Sequence, residues 1–115
     1  MYAYLSSLLQ GQSLLCAVSP SIDDLAASPA NLSVVAGNSV TLVCPATGLP
    51  APQVTWYKDD REVLAGEGGR DVRVLSSGRR LELVGIELDD AGRYRCVAKN
   101  VAGHVDRQYT LHVLG

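Results

Sequence analysis

Two cysteines, Cys44 and Cys96, constrain this chain more than any other feature, because each lies in a run where apolar and polar residues alternate. Val40, Leu42 and Cys44 share one side of the first run; Tyr94, Cys96 and Ala98 share one side of the second. A period of two is the mark of a half-buried strand, so both thiols point inward. They are far apart in sequence, and each is suited to one end of a bridge. A Cys44–Cys96 bond closes a loop of roughly 50 residues and contributes about 4 kcal/mol through the chain entropy it removes. Such a bond persists in an oxidising compartment. Cys16 stands alone in an N-terminal stretch of different character, an odd thiol out.

The rest of the chain keeps the same rhythm. Asn31 to Ala36 is strand-like and ends at the Gly37-Asn38 turn; Ser39 to Ala46 follows as one alternating run. The cluster Gly48-Leu49-Pro50-Ala51-Pro52 breaks the pattern. Val54 and Trp56 then share a face, with Thr55 and Tyr57 opposite. Further strands are expected over Val72 to Leu75, over Arg79 to Val84 with Leu81 and Leu83 inward, and at the end with Tyr109, Leu111 and Val113 inward. No segment has sustained helical periodicity. The class is all-β.

At 115 residues there is room for one sandwich and no separate catalytic domain. A net charge of −2 gives no general attraction to nucleic acid. No stretch is apolar for long enough to span a bilayer. Residues 1–20 read as an N-terminal tail or linker. As a signal peptide they lack Lys or Arg before the apolar part, and Gln10-Gly11-Gln12-Ser13 interrupts it. Ser19 to Ala30, with two prolines, reads as linker or irregular edge strand, and the domain is expected over 21–115.

Four features converge. Trp56 is inward on the strand after the first cysteine, where its ring can pack on the bridge. Tyr94 lies two residues before Cys96, so its hydroxyl can reach backbone near Asp90. Gly92 supplies the freedom that the corner needs. The run Asp90-Ala91-Gly92-Arg93-Tyr94-Arg95-Cys96 and the framework Cys44…Trp56…Cys96 resemble the immunoglobulin superfamily, from Asn31 through Val113. Gly48-x-Pro50-x-Pro52-x-Val54-x-Trp56 and Ala98-Lys99-Asn100-Val101-Ala102-Gly103 look like its intermediate set, the I-set. The last strand lacks the Gly-x-Gly bulge of antibody variable domains. Arg73-Val74 with Gly78-Arg79-Arg80-Leu81, and Asn100-Val101-Ala102-Gly103-His104, are similar to modules of hemicentin-type extracellular-matrix proteins. The resemblance implies an immunoglobulin-like, two-sheet Greek-key sandwich. Its structural residues would be Cys44, Cys96, Trp56, Tyr94, Asp90 and Gly92.

Candidate sites are few. Asn31-Leu32-Ser33 is an N-glycosylation sequon. Arg93, Arg95 and Lys99 project from one outer face, a row that a sulfated glycosaminoglycan can read; the plain alternative is a solvated sheet face. Glu82 and Glu87 belong to the other sheet or its corner. His104, His112 and Cys16 have no metal-ligand spacing. Asp59-Asp60 and Asp89-Asp90 sit in turns that favour Asp for backbone reasons, with no nucleophile and base beside them. Neither enzyme activity nor a cofactor is expected. The function expected is a structural and protein-interaction module of a secreted, matrix or cell-surface tandem-domain protein. Its partners would be neighbouring immunoglobulin modules and other matrix or cell-surface proteins. The alternatives are a ligand- or glycosaminoglycan-binding receptor domain and an intracellular muscle-type I-set domain.

Overall fold

The computed structural model describes residues 16–115, so the expectations for residues 1–15, the signal-peptide reading among them, lie outside the described residues. Ten strands run in chain order: β1 (Val18–Ile22), β2 (Asn31–Val35), β3 (Val40–Val43), β4 (Ala46–Leu49), β5 (Gln53–Lys58), β6 (Arg61–Glu62), β7 (Val72–Leu75), β8 (Arg80–Leu83), β9 (Gly92–Asn100) and β10 (Gly103–Leu114). Two short 3-10 turns, Glu67–Gly69 and Leu88–Asp90, complete the inventory.

The strands make two layers. One is a five-stranded sheet in the order β2-β10-β9-β5-β6, with β2 parallel to β10 and the other pairs antiparallel. The other is β3-β8-β7, extended along β3 by β4, which pairs with β1. Alternation decides which face of each strand is buried. From β3 and β4 come Leu42 and Ala46, with Cys44 between them; from β8, Leu81 and Leu83; from the facing sheet, Val54, Trp56, Tyr94, Cys96, Ala98, Tyr109 and Leu111. Each large side chain so buried contributes on the order of 1.5–3 kcal/mol. A slip of one residue would turn the whole inward set to solvent, so the core itself holds the register.

Two local readings need correction. Ser39 to Ala46 is not one strand: Pro45 has no amide hydrogen, and β3 stops at Val43 before the chain resumes as β4. Gly48 and Leu49, read as breakers, belong to β4 and pair with β1. β1 also takes in Val18, Ser19 and Pro20, ahead of the boundary expected at residue 21. It is an irregular strand, its register shifting between Val18 and Ser21, which is how it accommodates Pro20.

Candidate functional site

The frame is held at three points. Cys44 and Cys96, both fully buried, are bonded across the two layers. Trp56 stands directly opposite Cys96 in the β5–β9 ladder, 5.5 Å from the Tyr109 ring by centroids. Its Nε1 donates to the Gly78 carbonyl at 2.6 Å, so no buried indole N–H is left unpaired. Gly78 has φ +90°, and a Cβ there would lie 2.6 Å from the Val54 carbonyl oxygen; only glycine lets the β7–β8 turn approach this closely.

The second point is the corner before β9. Tyr94 Oη donates to the Asp90 carbonyl at 2.6 Å. Burial, reinforced by the Asp90 and Asp59 charges, pushes the Tyr94 hydroxyl well above its ordinary pKa. The Asp90 carboxylate faces Arg70, whose Nη1 and Nη2 donate to its two oxygens at 3.0 and 2.6 Å, and it also accepts from the Glu87 amide at 2.7 Å. Burial opposes the charge on Asp90. The Arg70 fork, the Glu87 N–H and the Arg70 charge together outweigh it and hold the carboxyl below its ordinary value. Gly92 follows at φ +151°, where a Cβ would meet Asp59 Oδ2 at 2.8 Å. That carboxylate accepts from the Arg93 amide at 3.1 Å, which with Lys58 lowers its pKa.

The third point is the β9–β10 turn. The Asn100 side chain donates to the Val18 carbonyl at 2.8 Å and to the Pro50 carbonyl at 3.0 Å, and accepts from the Ala102 amide at 2.8 Å. One amide thus ties β1, the β4–β5 connection and the turn together. Ser19 Oγ adds a bond to the Ala102 carbonyl at 3.2 Å.

The basic row lies on the outer face of the five-stranded sheet. Register sets Thr110 beside Arg93, Tyr57 and Gln108 beside Arg95, and Gln53 and His104 beside Lys99. Arg93 and Lys99 are exposed and make no ion pair among the described residues. Arg95 is committed: its guanidinium lies 4.9 Å over the Tyr57 ring and 4.0 Å from Asp106. Asp106, on the adjacent β10, and Glu62, two strands away on β6, temper the row. Glu82 and Glu87 are occupied elsewhere, with Arg73 and Arg70. Asn31 opens β2 on the same sheet, exposed and opposite Thr110. His104 and His112 lie far apart along β10, and Cys16 is exposed and unbonded. A hollow of about 300 Å³ between β5, β6 and the Glu67–Gly69 turn is lined by Lys58, Glu62, Arg70, Asp90 and Tyr94. Two of its lining cations are already paired, Lys58 with Asp59 and Arg70 with Asp90.

The immunoglobulin I-set domain family matches residues 24–113. The chain belongs to that family.

Among individual I-set relatives, hemicentin-1 of Homo sapiens is 45% identical over 95 residues and that of Mus musculus 42% over 96. These matches cover 83% and 84% of this chain but only 2% of either hemicentin, so the chain spans a small fraction of the relatives it matches. The muscle M-line assembly protein unc-89 of Caenorhabditis elegans is 35% identical over 88 residues, 73% of this chain and 1% of that protein. Among solved structures, the titin M3 domain superposes with a TM-score of 0.72 at 26% identity, covering 85% of this chain and 99% of that one. Sidekick-1 immunoglobulin domains 1–4 give 0.77 at 26% identity, with 86% of this chain on 25% of that one. Residues 24–113 thus correspond to one I-set unit.

Sequence reasoning missed Arg70 and the Asn100 clamp. A carboxylate expected in a buried corner calls for a cation, and that was the available signal for Arg70.

Proposed function

We propose that this I-set domain is a non-catalytic extracellular module of a tandem-domain matrix or cell-adhesion protein. It acts as a rigid spacer and offers its outer sheet face and end loops to other proteins. The observation that carries this reading is the fully buried Cys44–Cys96 bond, which requires an oxidising compartment to persist. The similarity to hemicentin-1 over most of the chain supports it. So does a 44% identity over 71 residues to the basement membrane-specific heparan sulfate proteoglycan core protein of Mus musculus, 62% of this chain and 2% of that protein. The polar groups at the frame's three points bond one another, as suits a spacer. Fractionation of a tissue that makes the parent protein tests the reading: the segment is expected in medium or matrix, and a wholly cytosolic pool overturns it.

The intracellular muscle-type alternative draws on the similarity to unc-89, and there Cys44 and Cys96 would stay reduced. Glycosaminoglycan binding through Arg93, Arg95 and Lys99 is the lesser reading, because Arg95 is already held by Tyr57 and Asp106.

A further inference from the structure

We infer that Asn31 carries an N-linked glycan and that this glycan guards one open edge of the five-stranded sheet. β2 is that edge. The Thr110 amide donates to the Ala30 carbonyl at 2.7 Å, so Ala30, Leu32 and Val34 turn their backbone groups toward β10. Asn31 and Ser33 therefore turn theirs outward. These are the first and third residues of the sequon. The two residues that define the glycosylation signal, Asn31 and Ser33, are thus the ones whose backbone groups face outward from the edge.

The side chains agree. Asn31 and Ser33 are both exposed, while Leu32 and Val34 pack against the core. Among the described residues no hydrogen bond engages either the Asn31 amide or the Ser33 hydroxyl, in contrast to Asn100, whose amide makes three. A glycan on Asn31 thus costs the fold no contact. The edge also needs a guard. Natural edges are blunted by charge, proline or a bulge. β2 reads Asn-Leu-Ser-Val-Val, with none of these, and Val35 is half exposed. A hydrated oligosaccharide at its start blocks the approach of a second strand.

Attachment is a group transfer. Asn31 Nδ2 bonds to the anomeric carbon of a lipid-pyrophosphate-linked oligosaccharide; the carbon–oxygen bond to the pyrophosphate breaks, the pyrophosphate leaves with the bonding pair, and Nδ2 gives up one proton to base. The inference rests on the extracellular reading, since only a chain in the secretory route meets that donor.

The test is secretion of the full chain from mammalian cells behind a secretion signal, with intact mass measured before and after peptide N-glycosidase. Wild type is expected to lose the mass of one glycan and to show Asp at position 31. Asn31→Gln and Ser33→Ala are expected to be secreted, unglycosylated, with unchanged melting temperature. By light scattering at equal concentration, wild type stays monomeric and both variants self-associate. A folded, secreted wild type of unmodified mass overturns the glycan; variants as monomeric as wild type overturn the guarding role. Either result leaves the extracellular reading standing. That reading fails on its own ground, if the natural protein is found in the cytosol with Cys44 reduced.

Discussion

Replacing Arg70 with Met keeps most of the aliphatic stem and removes the fork that holds Asp90. Asp90 is 7% exposed, and both its oxygens lie within 3.0 Å of the guanidinium. Breaking a buried pair from one side costs about 3–5 kcal/mol, because the surviving charge is stranded. Here the Arg70 side chain keeps 28% of its exposure and the Glu87 N–H still serves Asp90, so the low end applies, about 3 kcal/mol. For a domain of this size that is a fall of about 15 °C in Tm. The pH dependence gives a sharper signature. In the wild type the Asp90 pKa is held down, so its stabilisation is complete above the unfolded value near 3.9 and is lost as pH falls through the lower folded value. In Arg70→Met, burial, the largest influence on Asp90, is opposed only by the Glu87 N–H and the Lys58 charge, so the pKa rises from its wild-type value and protonation relieves the variant in acid. Urea unfolding at pH 7 is expected to separate the two proteins by about 3 kcal/mol, and the gap is expected to narrow steadily as pH falls below the unfolded value near 3.9. A penalty as large in acid as at neutrality would refute an electrostatic role for the pair.

Tyr94→Phe removes the donor to the buried Asp90 carbonyl and is expected to cost about 1–3 kcal/mol by denaturant titration. Burial raises the pKa of both Tyr94 and Tyr109, so their contribution is whole below the unfolded value near 10 and is lost above it; Tyr94→Phe should flatten that alkaline decline. Asn100→Ala deletes three hydrogen bonds at one end of the sandwich and is expected to cost about 1–2 kcal/mol. Hydrogen exchange should then quicken in β1 and β4 before the core, and unchanged protection there would contradict the clamp. On immobilised heparin the domain is expected to flow through at physiological salt, where the Debye length is about 8 Å. Retention that disappears in Arg93→Ser/Arg95→Ser would make the basic row a site after all.

What was legible in the sequence followed from short-range pattern. Val54 and Trp56, Leu81 and Leu83, and Tyr94, Cys96 and Ala98 repeat every two residues, and the structure buries every one. β1 and β4 were obscured because Pro20, Pro45, Gly48 and Pro50 interrupt their alternation, and what holds them is their pairing across the chain. The same holds for the polar network. Arg70 meets Asp90 across 20 positions and Asn100 meets Val18 across 82, with no periodicity linking either pair. Arg93, Arg95 and Lys99 could be set on one face by counting, but the charges that temper them, Asp106 and Glu62, required the registers of β10 and β6.

The proposed role places this I-set domain outside the cell, on a frame locked by one bond between its sheets. Peptide mapping of protein from its natural source, alkylated before any reduction, tests it most directly. A linked peptide pair containing Cys44 and Cys96 is expected, and a loss of about 2–5 kcal/mol when Cys44→Ala removes the bond. Cys44 and Cys96 recovered separately, each alkylated, would contradict it.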